Sequence, residues 1–305
     1  MENKPLVSVI MNCYNSETYL KEAIESVLNQ TYENFELIFW DNQSTDNSAE
    51  IVHTFDDKRI KYFYAPEHTS LGEGRNRALQ KAQGEYISFL DCDDWWELNK
   101  IEKTLVCFSD SKIGLVHTNA KQFFQDKQEY KLLHHQMQPT GAVFEDMIAN
   151  YNIALMSAMF RSEVLADLCE WFDTRFSMIE EFDFFVRIAK KWEIGYCDEV
   201  LCYWRAHQSS LTWKHKDKTL VELEAFKEKI LQFDISLKDS YAIQKIEAKI
   251  AYYKFFNQWK KDGYANRKLI LPYIFRDKRL IGIYLISFLG WDRYNRFLKF
   301  IGKSV

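Results

Sequence analysis

Three carboxylates stand within four residues of the sequence, at Asp91, Asp93 and Asp94, directly after the apolar run Tyr86–Leu90. Like charges placed this closely repel one another, so a compensating positive charge is expected beside them. Lys100 is the one basic residue within a few positions. A divalent cation is the stronger candidate, because Mg²⁺ and Mn²⁺ prefer carboxylate oxygens and Mg²⁺ is often held by one or two protein carboxylates plus substrate phosphates.

A second group of acids, Glu180, Glu181 and Asp183, lies in the segment "SMIEEFDFFVRIAKKW". The apolar residues of this segment recur at helical spacing, at Ile179, Phe182, Val186 and Ala189. The acids therefore fall in the first turn of a predicted helix. A carboxylate there could take a proton as a general base, or could simply favour the positive end of the helix dipole.

Strand and helix patterns alternate through the first hundred residues and must position these acids. The apolar runs "LVSVIMNCY", "FELIFW", "RIKYFYA" and "EYISFL" predict buried strands, and the segments between them predict helices. This alternation predicts an α/β fold with a mostly parallel sheet flanked by helices, in which ligands bind beyond the carboxyl ends of the strands. Polar clusters follow three of these strands: Asn12 with Asn15, Asp41 with Asn42, and Asp91 with Asp93.

The composition excludes several classes of protein. The chain has 305 residues, a formal net charge of -4 and a pI near 6.0, which argues against a general nucleic-acid binder. Its six cysteines form no C-x-x-C pair, so a reduced, cytoplasmic protein is expected rather than a disulfide scaffold or a zinc module. The N-terminus lacks a signal-peptide pattern, and the apolar run "LIGIYLISFLG" is about half as long as a membrane span.

Five ordered segments resemble the inverting family 2 glycosyltransferases of GT-A fold, of the bacterial polysaccharide and oligosaccharide type. "VSVIMNCYN" is similar to the family's opening strand and turn, and "LIFWDNQSTDNS" to its nucleotide-binding Asp-Asp-Gly-Ser segment. "GRNRALQKAQGEYISFLDCDD" resembles its Arg-Asn helix and Asp-x-Asp strand, "IEEFDFFVRIAK" its Glu-Asp helix, and "CYWRAHQSSLT" its late Arg-x-His segment. The order of all five makes the resemblance specific, whereas a lone Asp-x-Asp would be a weak signal.

The resemblance implies a metal-dependent site for a nucleotide-sugar donor of the UDP class. Asp93, as the last acid of Asp-x-Asp, would be a ligand of Mn²⁺ or Mg²⁺, and His207 would contact the metal or the diphosphate. Asp91 would hold the ribose or assist the metal. An acidic cluster that only caps a helix entered at Trp95 is the structural alternative for the strand-end acids. For His207 the alternative is a purely structural histidine.

Four further residues would surround the nucleotide. Asp41 and Asn42 would meet the base, Asn15 would shape the pocket, and Arg75 would reach uracil or phosphate. The family often has a second Asp in place of Asn42 and a Gly in place of Gln43, so the base identity and the local backbone are less constrained. The alternatives are an ordinary turn and helix cap in "DNQSTD", an Asx turn at Asn15 and a solvated arginine on a helix face.

Glu181 occupies the position of the family's catalytic base, where Asp is usual. It would take the proton from an acceptor hydroxyl of a growing surface polysaccharide or a lipid-linked oligosaccharide. A hydrolase with two carboxylates would have no role for the nucleotide segments. Two other functions remain as alternatives: a nucleotidyltransferase, which usually carries a Gly-rich basic loop after the first strand, and an inactive sugar-nucleotide-binding module.

Further expectations concern Arg205, the two tryptophans and the C-terminal region. Arg205 could pair with phosphate, and Trp95 and Trp96 could form a sugar platform or cover the core. Residues 1–215 are predicted to be the GT-A catalytic domain and residues 216–305 a helical C-terminal region. Beyond Lys260 basic residues alternate with aromatic and aliphatic ones. This pattern predicts either peripheral contact with the inner face of the plasma membrane, or a helical pair that packs on the catalytic domain or forms a contact in a homodimer.

Overall fold

The computed structural model of the protein describes residues 4–207 and 218–300, and the chain divides into two compact units. The first unit comprises Met1–Phe144 and Asn152–Lys216, and the second comprises Glu145–Tyr151 and Asp217–Val305. The sequence pattern gave no sign that the short segment Glu145–Tyr151 belongs with the C-terminal residues. The assignment of catalysis to residues 1–215 stays a prediction.

Within the described residues, nine strands form one mixed sheet in the first unit. The strands are β1 (Val7–Cys13), β2 (Phe35–Asp41), β3 (Ile60–Tyr64), β4 (Tyr86–Phe89), β5 (Trp95–Trp96), β6 (Ile113–Phe124), β7 (Glu129–Leu132), β8 (Ala158–Arg161) and β9 (Glu193–Ala206). Their order is β3-β2-β1-β4-β8-β6-β9-β5, with β7 paired to β6. The first four strands are parallel to one another, as predicted, and β8 joins β4 in the antiparallel sense. The predicted α/β class is confirmed.

Helices cover the sheet where the sequence pattern placed them. The helices of the first unit are α1 (Glu17–Leu28), α2 (Ser48–His53), α3 (Leu71–Leu79), α4 (Lys100–Val106) and α6 (Glu180–Ala189), while α5 (Phe144–Asn150) falls almost wholly in the second unit. The apolar stripe of α1, Leu20 to Val27, joins one core cluster with Val9, Met11 and Leu37 of the strands. Since β1 is buried along nearly its whole length, its apolar run need not alternate with polar residues.

The segment after the Asp-x-Asp strand differs from the helix considered above. Trp95 and Trp96 form the short strand β5, which pairs with β9, and the helix begins only at Lys100. The alternative in which the acids cap a helix entered at Trp95 is therefore wrong. Cross-strand packing explains why these residues form a strand, because the Trp95 ring stacks on Tyr203 with centroids 4.9 Å apart. The segment Glu129–Leu132 forms the strand β7, which pairs with β6 in the antiparallel sense.

The second unit is helical. Its main helices are α7 (Lys218–Phe233), α8 (Tyr241–Asp262), α9 (Lys278–Ile286) and α10 (Trp291–Phe300), joined in part by 3₁₀ turns such as Ser287–Leu289. A separate core cluster forms around Phe255 and Trp259 of α8 and Leu280 and Ile283 of α9. Across residues 4–207 and 218–300, no helix combines the length and apolarity needed to cross a bilayer.

Candidate active site at the carboxyl ends of the strands

The turn after β4 is held in place by Arg205 near the end of β9. The buried Asp94 carboxylate accepts the Arg205 backbone N–H at 2.8 Å, and the Arg205 Nε donates to the Asp93 carbonyl oxygen, also at 2.8 Å. Burial and the nearby charges of Asp93 and Asp91 raise the pKa of Asp94 well above its usual value. Asp94 thus stabilises the turn through its hydrogen bond to the Arg205 backbone.

Each of the three guanidinium nitrogens of Arg205 donates a hydrogen bond to a protein oxygen. Its Nη1 donates to Gln125 at 2.7 Å and its Nη2 to Glu22 at 2.6 Å. The group also lies 4.3 Å from the Tyr19 ring centroid and 4.4 Å from that of Trp95. Because its donors face these partners and the side chain is buried, Arg205 shapes the Asp93 turn, and its pairing with phosphate stays a prediction.

Asp93 and His207 meet at one edge of this turn. The Nε2 of His207 lies 2.9 Å from Oδ2 of Asp93. The His207 side chain is 15% exposed and the Asp93 side chain is 33% exposed. Carboxylate and imidazole are both ligands for Mn²⁺, so the pair has the donor chemistry that a divalent cation requires. Among the described residues no group of three or more His, Cys, Asp or Glu side chains could hold a metal by itself. A cation here would take its remaining ligands from substrate phosphates and water, which is usual for Mg²⁺.

Arg75 joins the strand-end acids to the helix that carries the second acidic group. Its Nη2 donates to Asp91 at 3.2 Å and its Nη1 donates to Glu180 at 3.0 Å. Arg75 and Glu180 are both nearly inaccessible to solvent, whereas the Asp91 side chain is 40% exposed. One buried arginine therefore links α3, the end of β4 and the start of α6. The reading of Arg75 as a solvated arginine on a helix face is wrong.

The three acids at the start of α6 have different environments. Glu180 pairs with Arg75, and the buried Asp183 pairs with Arg187 at 2.7 Å. Glu181 is half-buried, and desolvation together with the charge of Glu180 raises its pKa to about 8, against the lowering effect of Arg75. Of these acids, Glu181 combines partial exposure with a raised pKa, as expected for a proton acceptor in a cleft.

The residues predicted to meet the base form a network of their own. Asp41 is fully buried, and its Oδ1 and Oδ2 accept the Ser44 N–H and the Tyr62 hydroxyl, each at 2.7 Å. Asn42 donates to the Thr69 carbonyl at 2.8 Å and accepts the Thr69 N–H at 3.1 Å. Both side chains order the loops around them, and their direct contact with a base stays a prediction.

Two non-glycine residues of these loops adopt left-handed backbone conformations. Asn15 has φ of 51° and Gln43 has φ of 67°. The Asn15 Oδ1 accepts the Thr45 N–H at 2.7 Å, and the Asn15 N–H donates to Ser44 Oγ at 3.1 Å. Gln43 therefore takes the backbone region that glycine favours, at the position where the related family has glycine.

Two features around the site were not predicted from the sequence. Glu180 was not singled out as the partner of Arg75, because a first-turn acid carries no mark of the direction it faces. Asn12 and Trp40, opposite each other in β1 and β2, have buried side-chain nitrogens with no hydrogen-bond partner among the described residues. The signal available in the sequence was a polar residue and an indole in otherwise apolar strands.

Lys100 and Trp96 are buried in the core and not placed beside the strand-end acids. Lys100 is fully buried, with its Nζ 2.5 Å from Ser88 Oγ and 4.0 Å from the Trp96 ring centroid. Burial lowers its pKa to about 8. The indole N–H of Trp96 donates to the Met156 carbonyl at 2.9 Å, so this tryptophan covers the core. The positive charge next to Asp91 is Arg75 instead.

Comparison with known proteins gives the family. The model described as glycosyl transferase family 2 matches residues 8–168. The putative teichuronic acid biosynthesis glycosyltransferase TuaG of Bacillus subtilis is 34% identical over 52% of this chain and 64% of its own length. A glycosyltransferase of Rickettsia conorii is 30% identical over 93% of this chain and 48% of its own length.

A third relative has a named activity. The UDP-Glc:alpha-D-GlcNAc-diphosphoundecaprenol beta-1,3-glucosyltransferase WfgD of Escherichia coli is 40% identical over 37% of this chain and 45% of its own length. The chain thus spans about half the length of the curated relatives it matches, and less than two thirds of each of these three.

Solved structures share the fold at low sequence identity. S. aureus TarS in complex with UDP-GlcNAc superposes with a TM-score of 0.64 at 18% identity, over 91% of this chain and 83% of that one. The mannosyltransferase PcManGT of Pyrobaculum calidifontis, in complex with GDP-Man and Mn²⁺, gives 0.58 at 18% identity, over 98% and 84%. These likenesses show the GT-A fold predicted from the sequence. With the family model covering just over half of its residues, the chain belongs to glycosyl transferase family 2.

Proposed function

We propose that the protein is an inverting glycosyltransferase that moves a sugar from a nucleotide sugar, of the UDP class, to a hydroxyl of a saccharide acceptor. The observation that carries the proposal is the bridge through Arg75. It ties the Asp91 turn, where a donor diphosphate would lie, to Glu180, the neighbour in sequence of the half-buried Glu181. This bridge supports the assignment of the donor-side acids and the proton acceptor Glu181 to one site.

On the donor side, Asp93 and His207 would hold Mn²⁺ or Mg²⁺. Such a cation, when bound, would neutralise the charge that gathers on the departing diphosphate. Asp91 would contact the ribose, and the ordered loops at Asn15, Asp41 and Asn42 would enclose the nucleotide. The UDP class is supported by the names of WfgD and of the TarS complex, and the metal by the Mn²⁺ in the PcManGT complex.

On the acceptor side, Glu181 would remove the proton of the attacking hydroxyl. The hydroxyl oxygen forms the new bond to the anomeric carbon, and the bond from that carbon to the diphosphate oxygen breaks. The electron pair leaves with the diphosphate, and the proton stays on Glu181. Because attack and departure are in line on opposite faces of the sugar, the configuration at the anomeric carbon inverts. A carboxyl whose pKa is raised to about 8 is a stronger base, once ionised, than an ordinary glutamate.

The acceptor, by this proposal, is a saccharide or lipid-linked saccharide of surface polysaccharide synthesis. The support is the teichuronic acid named for TuaG and the diphosphoundecaprenol named for WfgD. The protein would be cytoplasmic and peripheral at the inner face of the plasma membrane, without a nucleic-acid partner. Residues 1–215 would carry catalysis, with residues 216–305 as a helical extension. A second copy of the chain, in a homodimer, would be a protein partner in addition to the donor and the acceptor.

The test is release of free UDP from a panel of UDP-sugars, with Mn²⁺ or Mg²⁺ and with excess EDTA. We expect metal-dependent release that Asp93→Asn abolishes and that the exposed control Asp56→Asn leaves unchanged. With an α-linked donor, an accepted acceptor should give a β-linked product by NMR. In a separate assay with UTP and a sugar 1-phosphate, formation of a UDP-sugar with release of pyrophosphate would identify a nucleotidyltransferase. Full activity in EDTA would remove the metal from the proposal.

A further inference from the structure

Helix α9 and the 3₁₀ turn that follows it, Ser287–Leu289, have apolar residues on two opposite sides. On one side, Leu280 and Ile283 are buried in the core cluster of the second unit. This side anchors the element on α8. These residues therefore pack within the second unit, but this packing uses only part of their apolar surface.

On the other side lies an exposed apolar stripe, which consists of Ile281, Leu285, Phe288 and Leu289. These side chains are exposed by 40%, 62%, 63% and 52% of their full areas. Ile281 and Leu285, four residues apart, lie on one face of α9, and Phe288 and Leu289 continue the exposed apolar surface in the turn that follows. A helix face turned to water is normally polar, so a contiguous apolar stripe marks an interaction surface.

Specific contacts fix the end of the stripe that lies in the 3₁₀ turn. The Arg267 guanidinium lies 3.7 Å from the Phe288 ring centroid, and its Nε donates to Ser287 Oγ at 2.9 Å. These contacts fix the 3₁₀ turn next to the end of α9. Phe275, just before α9, is 90% exposed and adds a further aromatic ring to the exposed apolar surface of this region.

The charges around the stripe select the kind of partner. The exposed basic residues of this region are Lys268, Arg276, Lys278, Arg279, Arg293 and Arg296. Of the nearby acids, Asp277 is buried and paired with Arg279, and Asp292 is exposed. Two copies of such a basic surface would repel each other. A surface that is both apolar and negatively charged at its boundary would attract it.

We propose that this stripe docks on an anionic lipid bilayer, with its four apolar side chains inserted at the boundary between headgroups and acyl chains. The surrounding basic residues would lie among the anionic headgroups. The element is too short to span the bilayer, so attachment is peripheral and reversible. This docking goes beyond the proposed transfer reaction and requires neither donor nor acceptor.

The experiment is co-sedimentation of the full chain with vesicles of phosphatidylcholine alone and of phosphatidylcholine mixed with phosphatidylglycerol. We expect binding to the mixed vesicles at low salt and its loss at high salt. Leu285→Asp should lower the partition coefficient roughly tenfold or more, because a charge replaces an apolar side chain that would be inserted in the bilayer. Arg276→Gln and Lys278→Gln should each lower it about fivefold.

The matched control is Val221→Asp on α7, where the valine is 66% exposed in the same unit. Since Leu285 and Val221 are both exposed, circular dichroism should show wild-type folding for both variants. The proposal is overturned if wild type stays in the supernatant with mixed vesicles, or if Leu285→Asp binds them as well as Val221→Asp does. It is also overturned if light scattering without lipid shows a dimer that Leu285→Asp dissociates and vesicles bind neither protein.

Discussion

At the scale of single residues, Glu181 is held where its charge is disfavoured, although proton removal requires that charge. Desolvation and the neighbouring Glu180 raise its pKa to about 8, and Arg75 limits the rise. A carboxyl whose pKa is higher in the folded than in the unfolded state binds a proton more tightly when folded. Its contribution to stability is therefore fully present below the ordinary pKa near 4.5 and is lost as the pH rises through 8.

This linkage predicts that Glu181→Gln stabilises the protein in a pH-dependent way. The glutamine side chain carries no charge at any pH, so the variant should unfold at a higher temperature than wild type at pH values above 8. The two should unfold at nearly the same temperature below the ordinary glutamate pKa. Differential scanning fluorimetry across this range measures the effect. A gap between the proteins that is the same at every pH would show that Glu181 does not titrate as described.

The same residue carries the catalytic prediction. Glu181→Gln should lower turnover roughly 10²–10⁴-fold, because general-base catalysis contributes about that much. Binding of UDP, measured by calorimetry with Mn²⁺, should stay close to wild type. Glu181→Asp is the conservative partner, and it should keep part of the activity since it restores a carboxylate. Wild-type turnover in Glu181→Gln would move the base to another group.

At the scale of secondary-structure elements, the sequence predicts where functional residues lie better than what they touch. The polar clusters after β1, β2 and β4 follow directly from alternating strands and helices. Periodicity does not reveal tertiary partners, so Lys100 could be expected beside the acids although it is buried against Trp96. The partner of Asp91 and Glu180 is Arg75, far from Glu180 in the chain. A long-range buried ion pair leaves no local pattern.

Helix α8 carries the prediction at this scale. Its Trp259 is fully buried, with ring centroids 5.3 Å from Trp291 and 5.1 Å from Tyr294. Trp259→Ala should lower the free energy of unfolding of the second unit by roughly 3–5 kcal/mol, through lost burial and the cavity that remains. Trp259→Phe should cost less. Urea denaturation followed by circular dichroism measures both.

The control for this helix is Tyr264→Ala, because Tyr264 is 66% exposed just beyond the end of α8. Its loss should change the free energy of unfolding by no more than about 0.5 kcal/mol. If Trp259→Ala costs no more than this control, the aromatic cluster does not hold the second unit together. The same packing shows why a chain cut near residue 259 is a poor probe of membrane binding, since the cut would remove the partners of Trp259.

At the scale of the whole molecule, two units each have their own core. The cluster around β1, β2 and α1 belongs to the first unit, and the cluster around Trp259 belongs to the second. The candidate active-site residues discussed above lie in the first unit, and the exposed apolar stripe lies in the second. Donor binding and lipid binding are thus assigned to different units, which lets each be measured without the other.

This division predicts two transitions in calorimetric unfolding of the full chain. By the proposed function, UDP with Mn²⁺ would bind only the folded first unit, so a hundredfold excess over its dissociation constant should stabilise that unit by about 2.7 kcal/mol. Only the transition of the first unit should then move to higher temperature, and Trp259→Ala should move only the other. Asp93→Asn should remove the shift caused by UDP and Mn²⁺, which ties the shift to the candidate site. One transition that moves as a whole with UDP, and equally with Trp259→Ala, would mean that the two units unfold as a single cooperative body.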